Sequence, residues 1–136
     1  MRKCNLTITT AVDGQEQEFT AMGEMELSLR SALLRYREQN AITLLKLEGN
    51  CASVEREGDY TLSLQLTEQT LTGGSLGIGG GTGEIKTYTH KVGYSVGKDS
   101  LLAVLHYDLI ISGEKQEMKL RILARGEKAE EEKECR

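Results

Sequence analysis

The feature that most constrains this chain is a period of two in hydrophobicity that recurs along nearly its whole length. Leu6, Ile8 and Val12 alternate with Asn5, Thr7 and Thr9. From Phe19 the row Phe19, Ala21, Gly23, Met25, Leu27 opposes Thr20, Met22, Glu24, Glu26 and Ser28. Further rows are Leu34, Tyr36, Glu38; Ile42 to Glu48; Val54, Arg56; and Tyr60, Leu62, Leu64, Leu66. Later come Tyr88, His90, Val92, Tyr94, Val96, then Leu101 to Ile111 at odd positions, and Met118, Leu120, Ile122, Ala124. Successive strand side chains point to opposite faces, so each row predicts a strand with one buried face, whereas a helix would repeat every 3.6 residues.

Turn dipeptides punctuate the rows: Asp13-Gly14, Gly49-Asn50, Gly58-Asp59, Gly97-Lys98-Asp99 and Gly113-Glu114. Such residues tolerate positive φ, which tight hairpins require. The chain has no proline, so no strand is demoted to an edge. Eight or nine strands joined by short turns predict an all-β, antiparallel meander that closes into a barrel to remove its edges; a β-sandwich is the alternative. Gly23, inside a long apolar row, predicts a bend. Residues 1–126 read as the barrel domain. Residues 127–136, rich in Glu and Lys with no apolar period, read as a disordered tail.

Composition excludes several function classes. The net charge is −4, which argues against a nucleic-acid partner. With one Phe, five Tyr and no Trp, the chain also lacks stacking platforms for single strands. No apolar run approaches a membrane span, and no signal-peptide core follows Arg2-Lys3, so a cytoplasmic protein without a membrane partner is expected. Cys4, Cys51 and Cys135 fit neither a disulfide framework nor a zinc site and read as reduced thiols.

Candidate sites are few. Gly73 to Gly83 holds seven glycines in eleven residues but fits no phosphate-binding pattern, and it reads as a flexible loop, a possible lid over the barrel mouth. His90, His106 and Asp108 are metal-ligand types, but the alternation puts His90 with Val92 and His106 opposite Tyr107, so no metal site and no cofactor are expected. No nucleophile with a base beside it emerges, so the chain is not read as an enzyme. Lys119, Arg121 and Arg125 share one face of the last strand and read as a solvated face.

Glu38 and Arg56 follow the inward parity of their strands. They sit either at the rim in water or inside as a pair, because an unpaired buried charge is very costly. Tyr36, Glu38, Arg56 and Tyr107 are therefore the candidate ligand-binding residues, Arg56 matching an anionic group and the tyrosines adding rings with polar tips. Two segments are apolar on both faces, Ile42 to Leu47 and Leu101 to Leu105 with Leu109 to Ile111, and a second apolar face on a one-layer wall predicts a homodimer.

The order of Tyr36-x-Glu38, Val54-x-Arg56-x-Gly58, the glycine-containing segment leading to Thr87 and Thr89, and Tyr107-x-Leu109 before Gly113 resembles the bacterial YwiB-like family, a domain of unknown function. The resemblance covers most of residues 5–125. It implies a calycin-like barrel, the architecture of lipocalins, and no known activity. This chain departs from the family where Leu76, Ile78 and glycines replace a Tyr and a Thr-Pro-Tyr-Gly element. The expected function is non-enzymatic binding of a small apolar or amphipathic molecule in the barrel, with a protein-interaction or assembly role as the alternative.

Overall fold

The computed structural model describes residues 1–38 and 40–127; the charged tail beyond Glu127 lies outside the described residues. Ten strands follow one another: β1 (Arg2–Val12), β2 (Gln15–Leu27), β3 (Ser31–Glu38), β4 (Ala41–Glu48), β5 (Cys51–Gly58), β6 (Tyr60–Thr67), β7 (Leu71–Ile78), β8 (Gly81–Val96), β9 (Ser100–Ile111) and β10 (Glu114–Gly126). Each pairs antiparallel with its chain neighbours, and β1 pairs with β10 to close the barrel. The all-β meander barrel is as the alternation predicts, with ten strands rather than eight or nine. Among the described residues no helix is long and apolar enough to cross a membrane.

The extra strand comes from the glycine-rich segment. Gly73 to Gly83 is not a loop: it forms most of β7 and the start of β8, joined by a two-residue turn at Gly79-Gly80 with φ of 58° and 86°. Both central residues of such a turn need positive φ, as do Asp13-Gly14 and Ser112-Gly113 in the same role. Gly74 serves differently, because a methyl there would overlap the Ser63 carbonyl oxygen of β6. Glycine here lets strands approach closely, and the lid idea falls with the loop.

The inward rows fill the barrel. Leu34, Leu47, Leu64, Leu66, Leu101 and Leu105 each expose 0% of their surface, so no water-sized space borders them. A fully buried leucine contributes about 1.5–3 kcal/mol, so these rows dominate the stability.

The wall is not equally tight all round. β2 and β3 pair only from Gly23↔Tyr36 to Leu27↔Ala32. Beyond that rung the Gln15–Met22 half of β2 stays on β1 while Arg37 and Glu38 stay on β4. The strands diverge toward the end carrying the β1–β2, β3–β4 and β5–β6 turns, leaving a wedge in the wall. Gly23, on the last rung of the ladder, marks its apex.

Candidate functional site

The wedge opens into a cleft of about 500 Å³ lined by Phe19 and Thr20 of β2, Arg37 and Glu38 of β3, and Asn40, Arg56 and Asp59. Phe19 and Glu38 arrive by inward parity, Thr20 and Arg37 by outward parity, so the cleft joins the barrel mouth to its outer surface.

Arg56 organises one wall. Its side chain is only 14% exposed, so it lies within the barrel end rather than free at the rim. Its Nε lies 3.5 Å from Glu38 Oε2, one terminal nitrogen donates to Asp59 Oδ1 at 2.8 Å, and the other donates to the Tyr60 carbonyl at 2.8 Å. The guanidinium carbon also sits 3.7 Å from the Tyr60 ring centroid, a cation–π arrangement. Burial works against the Arg56 charge, but the Asp59 hydrogen bond and the charges around it outweigh that and raise its pKa. The same hydrogen bond holds the Asp59 carboxyl below its ordinary value. Glu38 Oε2 further accepts from Thr43 Oγ1 at 3.2 Å. Thr43 faces Tyr36 across the β3–β4 ladder.

Of the four residues singled out from sequence, the structure brings Glu38 and Arg56 to the cleft. Tyr36 and Tyr107 lie below it in the hydrophobic core, each 6% exposed. Neither lines this cleft. Burial first, and then the Glu38 charge, raises the Tyr36 pKa. Burial, with Tyr60 adding to it, pushes Tyr107 up to about 12. Phe19, Arg37, Asn40 and Asp59 escaped the sequence reading, because the wedge that gathers them depends on where the β2–β3 ladder stops.

The raised phenols fix a direction for alkaline stability. Neutral Tyr36 and Tyr107 are favoured by the fold, so their contribution is complete below the ordinary phenol value near 10. It is lost as pH rises from there toward 12. Two such groups steepen the loss by up to about 2.7 kcal/mol per pH unit. Urea melts at pH 9, 10 and 11 should therefore show a flatter pH profile for the Tyr36→Phe/Tyr107→Phe double variant than for the parent. Parallel profiles would show that neither phenol titrates with unfolding.

A second polar group occupies the outer wall. The β8–β9 ladder shifts register between Thr89 and Lys91, so His90 and Lys91 both face outward. His90 therefore does not share the inward row of Val92. The bulge brings the His90 ring within 4.6 Å of the His106 ring, centroid to centroid. His90 Nε2 lies 2.9 Å from Asp108 Oδ2, and His106 Nε2 lies 2.9 Å from Glu117 Oε2. Each imidazole is thus matched to its own carboxylate. Among the described residues no group of three or more His, Cys, Asp or Glu is arranged to hold a metal ion.

The model of the domain-of-unknown-function family DUF1934 matches residues 3–122. The chain belongs to the DUF1934 family. This DUF1934 barrel is also similar to the crystal structure of the ywiB protein from Bacillus subtilis, with a TM-score of 0.80 at 18% identity over 93% of this chain and 92% of that one. At that identity the likeness shows the shared fold. The YwiB-like resemblance carried by Tyr36-x-Glu38 and Val54-x-Arg56-x-Gly58 thus falls within the DUF1934 match. No curated protein matches the chain.

Proposed function

We propose that this DUF1934 domain is a non-catalytic, cytoplasmic binding module that takes a small amphipathic anion in the β2–β3 wedge. The observation that carries the reading is the cleft itself. Its volume of about 500 Å³ lies within the usual range for small-molecule sites, roughly 300–1,000 Å³. Phe19 offers an apolar wall and Arg37, Asn40 and Arg56 a polar one.

The barrel interior is the less suitable place, because the leucine rows below Tyr36 and Tyr107 leave no room beside them. Arg56 is already offset by Glu38 and Asp59. Arg37 is exposed and joins no ion pair among the described residues, so it supplies the net attraction for an anionic head group. Among the described residues no Ser, Cys or His lines the cleft, which supports binding over covalent chemistry.

Titration of ¹⁵N-labelled protein with decanoate and with hexyl phosphate should shift amides of Phe19, Thr20, Arg37, Asn40 and Asp59. Arg37→Ala should weaken either ligand about tenfold, the usual scale of one charge-assisted contact. Native mass spectrometry of protein purified from its own host should show an added small mass. The filled interior favours a second reading, an interaction or assembly module. No amide shifts with either probe and no co-purified mass would favour that one.

A further inference from the structure

The outer face of β10, β1 and β2 carries an unusual division of charge. The ladders put Arg121, Thr9 and Glu18 in one row across the three strands, and Lys119, Ala11 and Glu16 in the next. Leu123, Thr7 and Thr20 form the row beyond. Cations therefore stand on one side of β1 and anions on the other, with small side chains between them. Strands are spaced about 4.8 Å apart, so the backbones of β10 and β2 stand roughly 10 Å apart across β1. None of Lys119, Arg121, Glu16 and Glu18 joins an ion pair among the described residues. All four are exposed.

We propose that this face binds a second copy of the chain, with the two-fold axis running along β1. Such an axis keeps the position along the strand and exchanges β10 with β2. Arg121 then faces Glu18 of the other copy, Lys119 faces Glu16, and Leu123 faces Thr20, each pair occurring twice. An axis across the strands would instead stack the basic rows on one another. The small residues of β1 let the two convex walls approach along that line, and the half-buried Leu102 and Val104 of β9 extend the apolar margin.

The split charge also selects the partner. A nucleic acid would meet the glutamates, and a uniformly acidic or basic peptide would be repelled by one half. A second copy presents the complementary halves in the same register. This interface borders the wedge at Thr20 but needs no ligand there, so it survives if none binds. Contact over about three strands per copy is small, so dissociation in the range of roughly tens of micromolar is expected. Exposed pairs are screened, so association should weaken as salt rises from about 0.05 to 0.5 M.

Sedimentation velocity of the full chain, from low micromolar to about 1 mM, provides the test. Wild type should dimerise reversibly. Arg121→Glu and Glu18→Arg should each weaken self-association at least tenfold while leaving the thermal melt unchanged. An equimolar mixture of these two variants should form heterodimer at wild-type strength, because both cross-copy pairs are then complementary again. The double variant Glu18→Arg/Arg121→Glu should likewise recover self-association. A wild type monomeric throughout would overturn the proposal. So would single variants that associate as the wild type does, or a mixture that fails to recover.

Discussion

Gly23→Val should destabilise the barrel by about 3 kcal/mol or more, the upper part of the range for overpacking a closely packed position. Gly23 pairs with Tyr36 on the last rung of the β2–β3 ladder. A Cβ there would overlap the Arg35 carbonyl oxygen and lie 2.9 Å from the Tyr36 Cβ. The obstacles are backbone and Cβ atoms, which cannot swing aside as a side-chain tip can. Relief requires the strands to part, and only four further rungs hold them together. Gly73→Ala and Gly83→Ala serve as controls, since both sites are open and neither has positive φ. They should be neutral or stabilising by up to about 0.5 kcal/mol through reduced unfolded-chain entropy. Urea melts of the three variants decide the matter. A Gly23→Val loss no larger than the controls would show that the apex of the wedge is not sterically fixed.

Arg56→Met should cost about 2 kcal/mol, less than the 3–5 kcal/mol typical of a fully buried pair because Glu38 keeps some contact with water. The change removes the donor to the Tyr60 carbonyl and leaves Glu38 beside Thr43 without its cation. Glu38→Gln keeps the shape and removes the charge. The double variant should therefore be more stable than the sum of the single losses predicts, by about 1 kcal/mol. Additive losses in a thermal or urea cycle would mean that the two side chains do not act as a unit. The cycle also separates structure from binding. If Arg56 is held by Glu38 and Asp59, decanoate affinity should depend on Arg37 more than on Arg56.

Most of the strands were legible because alternation is a local property, written into each segment independently of its neighbours. The row from Phe19 to Leu27 and the turn at Asp13-Gly14 are read from a few consecutive residues. The inward parity of Tyr36, Glu38 and Arg56 was legible for the same reason. The β7–β8 hairpin was not, since a run of glycines carries no alternation and its role is set by what lies across the ladder, such as Ser63 opposite Ser75. His90 was misplaced by a single extra residue at the bulge, which reverses parity downstream without leaving a mark in composition. The cleft depends on the rung at which β2 and β3 part, a property of paired strands that neither strand states alone.

The closure of β1 on β10 also bears on how the chain reaches its fold. The other nine ladders join consecutive strands and form from hairpins local in sequence. The seam alone joins opposite ends of the described chain, where Asn5 meets Arg125 and the Glu127 amide donates to the Lys3 carbonyl at 3.0 Å. Its loop-closure entropy is the largest single such cost in the topology, and it is offset only when the whole ribbon has curled. Until then a curved ten-strand ribbon presents two bare edges to solvent, so the open ribbon, not the finished barrel, is the species exposed to edge-to-edge aggregation.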